Sequence, residues 1–214
     1  GVSLFANVGI AETYIKNHKI NIAVANELLD NRARFHQEMH PKCKMIQGDI
    51  TSDETFTKVL KASKKSKCDF LIATPPCQGM SLAGKMHEND PRNSLIKYVI
   101  KLAQELQPTN ILIENVPKVL NTYLSHKGEK LKITDFIKQE LEPLGYIVNP
   151  VVVDASDYGT PQSRKRAIYL ISKLQKWELP SKKEKITVRE MIEYLPTLES
   201  EQSSDIKYHN AKKH

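Results

Sequence analysis

Cys77 has the clearest means to do chemistry. It lies in Ala73-Thr74-Pro75-Pro76-Cys77-Gln78-Gly79, directly after the apolar run Phe70-Leu71-Ile72-Ala73. The run reads as a buried strand. Neither proline carries an N–H, so the ladder stops there and a stiff loop begins. Open α/β sheets bind ligands and perform chemistry at the carboxyl ends of strands. A thiol held there can act as a nucleophile.

Four other strand-like runs end in chemically pointed residues. Phe5-Ala6-Asn7-Val8-Gly9 closes the first. Gly9 permits close backbone approach, and Asn7 tolerates a left-handed conformation. The spacing is not G-x-G-x-x-G, which disfavours a dinucleotide pyrophosphate. Asn26-Glu27-Leu28 follows the second run, where a carboxylate can accept from ribose hydroxyls. Gly48-Asp49-Ile50 follows the third, with Asp49 a candidate acceptor for the exocyclic amine of adenine. Taken singly, the Gly9 loop and Asp49 are better explained as a tight turn and a helix cap, and Glu27 can be read as a helix N-terminal acid. Together they make a nucleoside pocket without a phosphate grip, which suits S-adenosyl-L-methionine better than NAD. Glu114 ends the fifth run, where partial burial would raise its pKa and let it donate a proton. Gln162-Ser163-Arg164-Lys165-Arg166 leads into the last run; its guanidiniums suit phosphate or a base carbonyl. His36, His40 and Cys43 share one helical face but lack a completing cluster, so no metal site is expected.

These residues need a scaffold. Strands are expected at Val2–Phe5, Ile20–Ala25, Lys44–Gln47, Phe70–Ala73 and Asn110–Ile113, with helices at Glu12–Asn17, Leu28–Met39, Thr55–Ser63 and Ser94–Leu106. Such alternation implies βαβ units and a parallel sheet covered on both faces. A further helix fits Lys130–Leu144, capped by Gly145. Tyr146–Asp154 and Arg166–Ile171 read as two strands, an antiparallel addition near one edge of the sheet. Thr187-Val188-Arg189-Glu190 is a capping box opening a short helix that Pro196 stops. The fold class is thus α/β, mostly parallel. Residues 1–175 form the catalytic and cofactor-binding domain, and 176–214 a linker and the start of a further region.

The chain has 214 residues, 40% hydrophobic and 27% charged, in keeping with a soluble globular protein. No apolar stretch is long enough to span a bilayer, and the N-terminus lacks the basic start of a signal peptide. Three cysteines without a CxxC pair favour a reducing compartment such as the cytoplasm. The net charge of +7 is compatible with a polyanion partner.

In this order and spacing, the motifs resemble those of the cytosine-C5 DNA methyltransferases, particularly the bacterial restriction-modification enzymes. Phe5-Ala6-Asn7-Val8-Gly9 is similar to their cofactor loop, and Glu27 and Asp49 to their ribose and adenine contacts. Pro75-Pro76-Cys77-Gln78 is similar to their nucleophile loop. Asp90-Pro91-Arg92-Asn93-Ser94-Leu95 resembles a segment that touches cofactor and orders that loop. Glu114-Asn115-Val116 is similar to the base-binding acid motif, and Gln162-Ser163-Arg164-Lys165-Arg166 to the arginine motif.

The resemblance implies a Rossmann-like S-adenosyl-L-methionine-dependent fold and double-stranded DNA as substrate. It implies catalytic roles for Cys77, Glu114, Arg164 and Arg166. Cofactor contacts would come from Phe5, Ala6, Asn7, Val8, Gly9, Glu27, Leu28, Asp49, Ile50, Pro75 and Leu95. Nucleic-acid contacts would come from Gln78, Gly79, Ser81, Arg92, Gln162 and Arg164, with the loop Gly79–Asn93 closing over DNA. Two departures stand out: the family usually has glycine where this chain has Asn7, and often where it has Ile10. The family's target recognition domain and last two motifs are not visible. The chain is therefore read as a fragment, or as one subunit of a split enzyme whose partner chain carries them. A tRNA cytosine-C5 methyltransferase is the remaining alternative.

Overall fold

The computed structural model describes residues 1–76 and 94–195. Two compact units emerge. The first comprises residues 1–152 and 166–179, and the second 153–165 with the chain from 180 onward.

The first unit is built on strands β1 (Val2–Leu4), β2 (Val24–Glu27), β3 (Lys44–Gln47), β4 (Phe70–Ala73) and β5 (Asn110–Asn115). All are parallel, in the order β3-β2-β1-β4-β5. β1, β2 and β4 are buried along their whole length, which explains the uninterrupted apolar run of β4; the buried polar residues of β1 and β2 are Ser3, Asn26 and Glu27. Helices α1 (Asp30–Met39), α2 (Asp53–Lys65) and α3 (Ile96–Leu106) form the crossovers. The helix α2 starts where Ser52 Oγ accepts from the Thr55 amide at 3.2 Å. It buries Phe56, Val59 and Ala62, one face of a 3.6-residue period. α3 buries Ile96, Val99, Ile100 and Ala103, and ends on a left-handed Gln107.

Successive strand residues face opposite sides of the sheet. Leu71, Ala73, Ile111 and Ile113 join the larger core with α2, α3 and α4 (Ile133–Leu141). Phe70 and Ile72 join a second cluster with Ala6, Ile22, Ala25 and Cys43. The sheet continues beyond β5 with β9 (Lys165–Ser172) and then β8 (Ile147–Asp154). β9 runs antiparallel to β5, with Glu114 opposite Ile168 and Asn115 opposite Ala167. The antiparallel addition expected from sequence is therefore present.

Three expectations are corrected. The segment at Glu12–Asn17 is not an α-helix: its bonds run i→i−3 and only Ile15–His18 forms a 3-10 turn. The Gly9 carbonyl, where a helical ladder would begin, is shared among the Glu12 amide, Thr13 Oγ1 and His40. The second strand begins at Val24 rather than Ile20 and includes Glu27. Lastly, Lys130–Lys132 is not helical. Strands β6 (Tyr123–His126) and β7 (Glu129–Lys132) form a hairpin, and α4 begins at Ile133. Lys127 and Gly128 both have positive φ, 50° and 85°, as a tight two-residue hairpin turn requires. Leu131 fits a helical period, but it equally fits the strand alternation that pairs it with Leu124.

In the second unit the Asp154 carboxylate ties a loop. It accepts from the amides of Ser156 and Arg164 and from the hydroxyls of Ser156 and Ser163. The Ser156 amide first, then the Arg164 amide and the hydroxyls, hold its pKa down to about 2. The expected capping box is present at Thr187 and Glu190, opening α5 (Val188–Ile192).

Candidate cofactor and active site

β1 is flanked by β2 and β4, so the crossovers reverse direction at β1/β4, the switch point where open α/β sheets place ligands. The loop leaving β1 curls tightly, with positive φ at Phe5 (57°), Asn7 (52°) and Gly9 (83°). Its fold depends on Glu27, which is 6% exposed. Glu27 Oε2 accepts from the Asn7 amide at 2.9 Å, and Oε1 from the Leu29 amide at 3.0 Å. One carboxylate thus fixes both the β1 loop and the start of α1. The buried Asn26 amide donates to the carbonyls of Ile46 and Gly48, holding the end of β3 beside the loop. Asp49 is exposed and its Oδ1 accepts from the Thr51 amide.

Between these strand ends lies a cleft of about 420 Å³. Seven residues expected from sequence line it: Phe5, Asn7, Glu27, Leu28, Asp49, Ile50 and Leu95. Ala6, Val8, Gly9 and Pro75 do not line it. Ala6 packs in the second core cluster, and Gly9 backs onto His40. Asn26, Leu29, Arg32, Gly48, Thr74 and Pro76 also line the cleft and were not expected. Leu28 and Leu29 held a readable signal: two leucines at an exposed helix start, 55% and 43% exposed, have no core to fill. The lining suits a nucleoside. Apolar side chains can face a ring, and two carboxylates can accept from hydroxyls and an amine. The volume falls within the range of small-ligand sites.

The cysteine loop springs from the same place. Thr74 Oγ1 donates to the Phe5 carbonyl at 3.0 Å, tying the two loops together. Asn115 Nδ2 donates to the Pro75 carbonyl at 3.2 Å, while its Oδ1 accepts from the Val116 amide at 2.8 Å. Asn115 is buried on one face of β5, so its neighbour Glu114 lies on the other. Glu114 Oε1 meets Arg166 Nε at 2.8 Å, with the side chains 31% and 23% exposed. The register makes this a diagonal cross-strand pair between β5 and β9. Arg164 belongs to the second unit, its amide on Asp154 and its carbonyl accepting from Ala155. Gln162 is exposed. Cys77, Gln78, Gly79, Ser81 and Arg92 lie outside the described residues.

A buried polar cluster stands behind the β1 loop. The Ser3 hydroxyl donates to Glu12 Oε1, and His36 Nε2 lies 4.0 Å from that oxygen. His36 has no exposure, and burial, with His40 adding to it, lowers its pKa to about 4. Burial also raises the Glu12 carboxyl and pushes the Cys43 thiol up to about 12. The cluster gives a pH signature. Between its ordinary 6.5 and about 4, His36 takes up a proton in the unfolded chain but not in the folded one. Stability should therefore fall on acidification through that window, by up to about 3 kcal/mol. Glu12 acts in the opposite sense, because its raised folded pKa favours the native state as pH falls. Subtracting the urea-unfolding curve of His36→Phe from that of the wild type, from pH 7 to 4, isolates the His36 slope. Parallel curves would refute a neutral buried imidazole.

The strand order, the antiparallel β9 and the nucleoside-sized cleft define the class of S-adenosyl-L-methionine-dependent methyltransferase folds. The family model for the C-5 cytosine-specific DNA methylases matches residues 1–214, and the chain belongs to that family. It is 42% identical to the Type II methyltransferase M1.HgaI of Avibacterium volantium, over all of this chain and 61% of the relative. It is 33% identical to M1.HphI of Haemophilus parahaemolyticus, over 86% of this chain and 53% of that protein. A prophage-encoded E. coli protein assigned as a DNA modification methyltransferase superposes with a TM-score of 0.70 at 26% identity, covering 91% of this chain and 54% of that one. The chain thus spans little more than half the length of these relatives. Among the described residues no helix is long and apolar enough to cross a membrane.

Proposed function

We propose that this chain carries the chemistry of methyl transfer to C5 of cytosine in double-stranded DNA, within residues 1–175, with 176–214 leading into a DNA-reading region. The β1/β4 cleft holds S-adenosyl-L-methionine, with Glu27 toward the ribose, Asp49 toward the adenine amine, and Phe5, Leu28, Ile50 and Leu95 against the ring. Bound there, the cofactor supplies an electrophilic methyl group on a sulfonium. The target cytosine is rotated out of the duplex to be reached. The Cys77 thiolate bonds to C6. Glu114 hydrogen-bonds N3 and the exocyclic amine and stabilises the charge that develops across the ring. Arg166 orients Glu114, and Arg164 holds the cytosine O2. Addition at C6 makes C5 the nucleophile for the methyl group that the bound cofactor would supply, and loss of the C5 proton to water then expels the Cys77 thiolate.

The observation that most supports this reading is the Asn115–Pro75 hydrogen bond. It fastens the base of the cysteine loop to the strand that carries Glu114, while Thr74 fastens it to the cleft. The test is to incubate the chain, alone and with candidate partner chains, with the cofactor and duplex DNA bearing 5-fluorocytosine. A denaturation-resistant adduct is expected, because fluorine at C5 blocks the final elimination. A protein that binds cofactor and methylates DNA without forming an adduct would overturn the mechanism. Methyl transfer to tRNA in preference to DNA would overturn the substrate. Adduct formation only after a second chain is added would identify a split enzyme.

Glu27 carries a further prediction. Glu27→Ala strips acceptors from two backbone amides as well as a ribose contact, so cofactor affinity should fall about 100-fold. Glu27→Gln keeps one acceptor oxygen and should lose less. Titration calorimetry reads both; equal affinities for Ala and wild type would remove Glu27 from the site.

A further inference from the structure

Gly9 is held from behind. With φ 83°, a β-carbon built on it would stand 2.4 Å from His40 Nε2 and 3.0 Å from His36 Cδ2. The imidazole of His40 therefore occupies the space a side chain at residue 9 would need. It also bonds: Nε2 lies 3.2 Å from the Gly9 carbonyl. A carbonyl only accepts, so Nε2 carries the hydrogen in this contact.

His40 is itself held rigidly. It caps α1, its amide donating to the His36 carbonyl at 2.8 Å. The Gln37 amide donates to the carbonyls of His40, Pro41 and Cys43, and Gln37 Oε1 accepts from Met45. The His40 ring packs against the buried His36 ring with centroids 4.8 Å apart. Ahead of α1, Glu27 at the end of β2 also grips the loop, accepting from the amides of both Asn7 and the N-cap Leu29. The residues on either side of α1 thus hold the loop at two points two residues apart: Glu27, at the end of β2, holds Asn7, and His40, the C-cap, holds Gly9.

We propose that His40 is a positioning residue for the cofactor loop. Through the Gly9 carbonyl it fixes the curvature of Phe5–Gly9, and with it the Phe5 side chain and the Asn7 amide at the cleft. This rests on the cofactor reading above. A ring that only filled space would need no donor, and an apolar ring would replace it. His40→Phe keeps the bulk and removes the donor; His40→Asn restores a short donor.

Titration calorimetry with S-adenosyl-L-methionine should show His40→Phe about fivefold weaker than wild type, the worth of one ordinary hydrogen bond, and His40→Asn within about twofold. Amide hydrogen exchange without ligand should speed up at residues 6–13 in His40→Phe and not in His40→Asn. Gly9→Ala should abolish binding, and His40→Ala placed on top should recover part of it, because the clash but not the positive φ is relieved. Equal affinity and equal exchange in the Phe and Asn variants would reduce His40 to packing and overturn the proposal. A wild type that binds no cofactor overturns the function proposed above, whereas the exchange measurement still judges His40.

Discussion

In Cys77→Ser the adduct with 5-fluorocytosine DNA should disappear, and methyl transfer should fall by about four orders of magnitude or more. A thiol is partly ionised near neutral pH and is intrinsically nucleophilic, whereas an alcohol needs a base to remove its proton. The thiolate must also depart at the end of the cycle, and it does so far more readily than an alkoxide. Cofactor affinity should be nearly unchanged, since Glu27, Asn7 and Thr74 shape the cleft without Cys77. Single-turnover transfer from labelled cofactor, with calorimetric titration beside it, separates the two quantities. Retained turnover in Cys77→Ser would assign the attack to another group.

Glu114→Gln should lower the transfer rate by about 100- to 10,000-fold while leaving the protein folded. The amide oxygen can still accept from Arg166 Nε, so the diagonal pair between β5 and β9 keeps its geometry. What is lost is a group able to share a proton with N3 of the base. Arg166→Lys makes the companion measurement. A point ammonium cannot reproduce the in-plane Nε contact, so the rate should drop although the charge is kept. A full rate in Glu114→Gln would leave the acid without a catalytic role.

Residues with a simple physical signature were readable in advance. β4 announced itself as a short apolar run, because it is buried along its whole length, and β5 through Ile111-Leu112-Ile113. Glu27 and Glu114 were readable as charges placed just where such runs end. The hairpin β6–β7 was not, because Lys127-Gly128 is not the Asn-Gly pair that marks such turns and Leu131 satisfies two periods at once. Asn26 and Asn115 were missed as anchors for a related reason: a buried amide earns its place by reaching carbonyls 20 and 40 residues away, and no local pattern encodes that. Arg32 came to the cleft only through the direction in which α1 leaves Glu27.

The cofactor loop and the cysteine loop rise from β1 and β4, hydrogen-bonded neighbours in the sheet. Adjacent strands are locked about 4.8 Å apart by their backbones. The roots of the two loops are therefore held at a spacing inherited from peptide geometry, which no side-chain substitution can stretch.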